Sequence, residues 1–160
     1  KDQATLIRGF AQALPQLPAG SLLAIMGSGR LEAQLKVLAA ELGVGDAVRF
    51  LGQVANGRRY FKAFDVFALT SDHEPFGMVL LEAMAAGVPV ICSDCGGGRE
   101  VVSGSGLLFP FAQADALAAC FVELAVTRSG QDRVPECLET FSDQAARERF
   151  RALGWLSYDL

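Results

Sequence analysis

Short apolar runs and longer stretches with helical spacing alternate along this chain. Residues 21–26, 48–52, 65–70, 88–92 and 106–109 are apolar runs of strand length bounded by turn residues, the pattern of strands buried on both faces of a parallel sheet. Between them the apolar positions recur at three and four. Asp2 is a candidate N-cap ahead of Leu6, Ile7, Phe10 and Leu14, with Pro15 closing that helix. Residues 31–42 form a second helix stopped by Gly43, and a short one passes through Tyr60, Phe61 and Phe64. A further helix runs from near Phe76 to Gly87, started by Pro75 and ended by glycine. Residues 115–126 are amphipathic, with Leu117, Ala118, Phe121 and Leu124 as the buried stripe. Beyond a weakly patterned stretch over 128–139, Phe141 and Ser142 open a closing helix that ends at Trp155 and Tyr158. Strands alternating with helices predict an α/β fold, a Rossmann-like doubly wound parallel sheet with its cleft at the carboxyl ends of the strands.

Composition narrows this picture without changing it. A chain of 160 residues, 51% of them apolar, suffices for one domain with a substantial core. A net charge of −4 with no basic run argues against a nucleic-acid partner or a polybasic membrane contact. No apolar segment approaches the roughly 20 residues of a membrane span and no signal peptide opens the chain, so a soluble, cytoplasmic module is expected. Cys92 and Cys95 form one Cys-x-x-Cys, but no second pair or nearby His pair completes a zinc site. With Cys120 and Cys137 they are expected to be structural free thiols, as in a cytosolic protein.

The chemistry concentrates in residues 71–87. A helix opening beside Gly77 offers the unpaired backbone N–H groups of Gly77, Met78 and Val79, an anion site at the carboxyl end of the preceding strand. Glu82 is the one charged side chain between Gly77 and Gly87, and helical side chains lean back over the preceding turn, toward Met78 and Val79. Glu74 lies in the loop just before the helix mouth. Amide donors suit a phosphate, and ionised carboxylates, which only accept hydrogen bonds, suit sugar hydroxyls.

Glu74 and Glu82, set in Glu-Pro-Phe-Gly and Glu-Ala-Met-Ala-Ala-Gly-Val-Pro-Val-Ile, resemble the Glu-x7-Glu signature of the retaining glycosyltransferases with the GT-B fold, the group 1 glycosyltransferases. The resemblance covers nearly all of the chain and implies the C-terminal, donor-binding half of a two-domain enzyme. It assigns the donor sugar to Glu74 and the Phe76 and Gly77 amides, the diphosphate to Met78 and Val79, and the ribose hydroxyls to Glu82. Lys1, in Lys-Asp-Gln-Ala-Thr-Leu-Ile, matches a phosphate-binding lysine that follows the first strand of that domain, so the first strand and the N-terminal acceptor domain are expected upstream. The loop after residues 48–52 meets the nucleotide base there, which points to Val54, with Arg59 a second candidate and Arg58 a surface cation. Gly27-Ser28-Gly29 lacks the third glycine of a dinucleotide fingerprint, has Glu at position 32, and reads as a tight turn facing the donor cleft. In the glycine-rich loop 93–100, Gly97 and Glu100 match the family, with Gly97 a candidate for close approach to the sugar, while Arg99 is less typical.

The resemblance implies a hexose transfer from a nucleoside diphosphate sugar to a glycan or lipid-linked acceptor, with retention of configuration, in cell-surface polysaccharide or lipopolysaccharide synthesis. Glu74 is the candidate catalytic residue, as a binding and orienting group. No cofactor or metal is expected, in keeping with the lack of an Asp-x-Asp. The full enzyme is expected in the cytoplasm, in peripheral contact with the inner face of the membrane. Two rival readings remain open at this point. A nucleotide-sugar epimerase would need acid and base side chains, for which His73, read here as a loop residue, is the only histidine. A non-catalytic nucleotide-binding domain would keep the fold alone.

Overall fold

The computed structural model describes residues 1–102 and 104–127. The expected closing helix with Trp155 and Tyr158, and Cys137, lie outside the described residues. Helix α1 (Gln3–Ala13) is capped as expected, the Asp2 carboxylate accepting the Thr5 N–H at 3.2 Å. Its face of Leu6, Ile7, Phe10 and Ala13 is buried, and Pro15 falls in the 3-10 turn Leu14–Gln16 that comes next. Then come β1 (Leu23–Met26), α2 (Glu32–Glu41), β2 (Val48–Gly52), a 3-10 helix over Gly57–Ala63, and β3 (Phe67–Leu69). The chain continues through α3 (Met78–Ala85), β4 (Val90–Ser93), α4 (Gly96–Val102), β5 (Leu107–Phe109) and α5 (Ala114–Thr127).

The pairings between these strands are all parallel, as the alternating pattern predicts. Leu23 lies opposite Val48 in the β1–β2 pair, Phe67 opposite Val90 in β3–β4, and Ile91 opposite Leu107 in β4–β5. Hydrogen bonding divides these strands into a two-stranded sheet, β1-β2, and a three-stranded one, β3-β4-β5. β1 and β3 therefore each keep one edge without a strand neighbour among the described residues.

β4 shows why the fold is layered on both sides. All four of its residues are buried; Ile91 faces one hydrophobic cluster, while Val90 and Cys92 face the other. The pleat sends alternate side chains to opposite faces, so both faces of this strand need a helical cover. The first cluster joins Ile7 and Phe10 of α1 and Leu117 and Phe121 of α5 to Ile25, Val48 and Phe109, so it draws on both sheets. The second joins Leu80 and Met84 of α3 to Val101 and Val102 of α4 and to Phe61, which meets Phe67 edge to face at 5.3 Å. No helix among the described residues is long and apolar enough to cross a membrane.

Several boundaries shift by one or two residues from the sequence expectation, and two of the differences bear on the site. α3 begins at Met78 rather than near Phe76, because Gly77 has φ +80° and its left-handed turn separates Pro75 from the helix. Residues 96–98 form the first turn of α4 rather than a loop.

Candidate functional site

Thr70, Ser71 and Ser93 are polar yet buried, and their bonds locate the site. The Thr70 hydroxyl lies 2.9 Å from the Lys1 carbonyl and 3.1 Å from that of Asp2, so its proton is shared between two acceptors that anchor the start of α1 at the carboxyl end of β3. Ser93 Oγ donates to the Ser71 carbonyl at 2.6 Å, which joins the ends of β3 and β4. Sequence reading missed these anchors. Their only local signal is a hydroxyl residue at the end of an apolar run.

Lys1 is thereby brought to Glu74, 73 positions away. Its Nζ donates to Glu74 Oε2 at 3.0 Å, and the Gly77 N–H donates to Glu74 Oε1 at 3.2 Å. The Glu74 side chain is only 15% exposed. The hydrogen bond from Lys1 holds its carboxyl below the usual carboxylate range, opposed by burial and aided by the Lys1 charge and the Gly77 amide. An ionised Glu74 orients hydroxyl groups by accepting from them and does not serve as a proton donor at neutral pH.

Beyond Gly77 the helix mouth is open. The Gly77 carbonyl accepts the Leu80 N–H at 2.9 Å, and the Met78 and Val79 amides find no partner among the described residues. Met78 is 58% exposed. Glu82 stands one turn further along on the same outward side of α3, half-exposed, away from the buried Leu80, Ala83 and Met84. Phe76 is exposed beside this mouth.

Gly97 sits against the Glu74 loop. Its N–H donates to the Glu74 carbonyl at 2.8 Å, and it packs on the Pro75 carbonyl, so it touches the loop that carries Glu74. Arg99 pairs with Asp94, Nε to Oδ1 3.3 Å. Val54 lies on a separate rim at the ends of β1 and β2. There Gln53 Nε2 donates to Ser28 Oγ at 3.1 Å, and the Gly27 N–H donates to the Gly52 carbonyl at 2.7 Å in an isolated bridge, while the hydrogen-bonded turn lies just after the expected Gly27-Ser28-Gly29, the Glu32 N–H donating to the Gly29 carbonyl at 3.1 Å. The structure thus joins Lys1, Glu74, Gly77 and Gly97 by direct bonds and sets Met78, Val79 and Glu82 next to them on α3. No hydrogen bond or ion pair links Val54 to that group.

Cys92, Cys95 and Cys120 are free thiols. Burial pushes the Cys92 thiol up to about 11, which suits a core residue rather than a nucleophile.

Comparison with known proteins is consistent in its direction. The model of the family described as glycosyl transferases group 1 matches residues 1–126. The lipopolysaccharide core biosynthesis glycosyltransferase LpsE of Rhizobium meliloti is 34% identical over 140 residues, 86% of this chain and 41% of that protein. A GDP-mannose-dependent monoacylated alpha-(1-6)-phosphatidylinositol monomannoside mannosyltransferase of Corynebacterium glutamicum is 37% identical over 134 residues, 78% of this chain and 34% of that protein. Among solved structures, Anabaena Alr3699/HepE in complex with UDP and glucose superposes with a TM-score of 0.78 at 26% identity, over 95% of this chain and 45% of that one. The chain therefore spans 34% to 41% of the length of these two curated relatives.

Proposed function

Because this chain belongs to the group 1 glycosyl transferases, we propose that it is the donor-binding domain of an enzyme that moves a hexose from a nucleoside diphosphate sugar to a glycan or lipid-linked acceptor. The observation that carries this reading is the pair of unpartnered amides, Met78 and Val79, at a helix mouth beside the Lys1 ammonium and two carboxylates. The diphosphate takes the Met78 and Val79 amides and Lys1, as helix dipole and free N–H groups favour an anion there. Glu82, further along the same face, takes the ribose. Glu74, with Phe76 and Gly77, takes the hexose, and Val54 marks the base side.

Glu74 binds and orients the sugar, and charge developing on the departing diphosphate meets donors already fixed in place, without a metal. Retention of configuration goes with the Glu-x7-Glu pattern. The relatives named for lipopolysaccharide core and phosphatidylinositol mannoside synthesis support a lipid-linked or surface-glycan acceptor, bound by a preceding domain.

Calorimetry of the full-length protein with UDP, GDP and ADP tests this reading. At least one binds, and Glu82→Ala weakens it by about 1.5 to 3 kcal/mol, the range for a hydrogen bond to a charged group. Lack of binding by all three, or unchanged affinity in the variant, overturns it.

A further inference from the structure

The first turn of α4 carries three consecutive glycines, and each lies where a side chain does not fit. A Cβ on Gly96 would stand 2.6 Å from the Glu74 carbonyl oxygen, and one on Gly97 would run into the Pro75 carbonyl oxygen and stand 3.0 Å from Phe76 Cα. On Gly98 it would stand 2.7 Å from Cys92 Sγ and 4.0 Å from Glu74 Cβ. Contacts of this kind let two stretches of backbone touch directly, and the Gly97 N–H uses the approach to donate to the Glu74 carbonyl at 2.8 Å. The far end of α4 is fixed, since Val101 and Val102 are buried in the core against β4. In the loop resting on its near end Asp72, His73, Pro75 and Phe76 are exposed, and the bonds from Lys1 and Gly77 to this loop reach the Glu74 side chain, whereas α4 holds its backbone.

We infer that Gly96, Gly97 and Gly98 are positioning residues: they seat the Glu74–Pro75 backbone on α4 and so set where the Glu74 carboxylate meets Lys1, Gly77 and the donor sugar. This rests on the donor-binding reading and changes the part played by Gly97, which acts through Glu74 instead of touching the sugar. Three glycines are otherwise a poor opening for a helix, each costing about 1 kcal/mol relative to alanine. The close seat on the loop is what the structure gains from them.

The test compares glycine variants of matched steric severity. In Gly97→Ala the seat is blocked. In Gly106→Ala a Cβ would lie 2.6 Å from the Val90 carbonyl oxygen, a comparable backbone clash at the opposite end of β4 from Cys92 and Ser93. Gly98→Ala clashes chiefly with Cys92 Sγ, so adding Cys92→Ala removes the obstacle; its next contact, Leu80 Cδ1 at 3.5 Å, is ordinary. The readouts are thermal unfolding, the titration of the Glu74 carboxyl by carbon NMR, and affinity for UDP, GDP and ADP sugars.

Expected is a rise of the Glu74 midpoint toward the ordinary carboxylate range in Gly97→Ala and Gly98→Ala, its return in Gly98→Ala/Cys92→Ala, and no change in Gly106→Ala despite a comparable loss of Tm. Nucleotide-sugar affinity falls by about tenfold in the first two variants, the loss of one hydrogen bond to a charged group. A Glu74 titration like that of the wild type in Gly98→Ala, or the same shift in Gly106→Ala, overturns the positioning role. Should Gly97→Ala fail to fold, the Gly98 pair decides. Should the wild type bind no nucleotide sugar, the donor-binding reading fails while the Glu74 titration still decides the seat.

Discussion

The rim at the end of β3 and the rim at the ends of β1 and β2 are both made of short parallel strands running out into turns, but they are held in different ways. The β3 rim is tied by bonds between residues far apart in sequence: Lys1 to Glu74, Thr70 to Lys1 and Asp2, Ser93 to Ser71, Gly97 to Glu74. The β1–β2 rim has the Gly27–Gly52 bridge and a single exposed side-chain bond, Gln53 to Ser28, and it leaves Met26, Leu51 and Tyr60 exposed. Electrostatic stabilisation of a leaving diphosphate requires donors fixed before the reaction, since dipoles that must reorganise lose their advantage. Contact with a base tolerates looser support. The contrast thus matches the division of labour proposed for Glu74, Met78 and Val79 on one side and Val54 on the other.

Thr70→Val strikes the tied rim hardest. It leaves the Lys1 and Asp2 carbonyls without their buried hydroxyl donor, and it is expected to cost about 1 to 3 kcal/mol in denaturant unfolding and to weaken the Lys1–Glu74 contact. A smaller effect is expected in acid. Glu74 has a folded pKa depressed below its unfolded value of about 4.3, so its contribution is present above that pH and is lost as pH falls through the lower folded value. Lys1→Met removes the largest cause of the depression. The variant should therefore lose stability less steeply than wild type below about pH 4.3, and acid unfolding curves measure this. Lys1 is 61% exposed, so the difference is modest. Smallest is Gln53→Ala, which removes one exposed bond on the loose rim and should change stability by no more than about 0.5 kcal/mol. A Gln53→Ala loss equal to that of Thr70→Val would erase the contrast between the rims.

The elements that were legible in the sequence are those whose signals are local. β2 occupies Val48–Gly52 as expected, Asp2 caps α1, and Leu117, Ala118 and Phe121 of the expected stripe are buried in α5. Pro75 gave a misleading helix start because a proline prior competes with a glycine able to take φ +80°, and the Glu74 carboxylate on the Gly77 amide favours the later turn. The glycines at 96–98 read as a loop because single-residue propensity opposes a helix there; packing against Glu74 and Pro75 overrides it. The division of the strands into two sheets, and the bond from Thr70 to Lys1, depend on pairings between residues well separated in sequence, which no local pattern encodes. The candidate site was legible in residue type at Lys1, Glu74 and Gly77, whereas the manner in which Gly97 joins them became visible only in three dimensions.

The central claim is that the open mouth of α3 receives the diphosphate. Amide chemical shifts monitored during titration with UDP, GDP and ADP test it most directly. Met78 and Val79 are expected to move first and furthest for whichever nucleotide binds, with Gly77 moving after them as Lys1 turns toward the phosphate. Binding that leaves the Met78 and Val79 amides unmoved would contradict it.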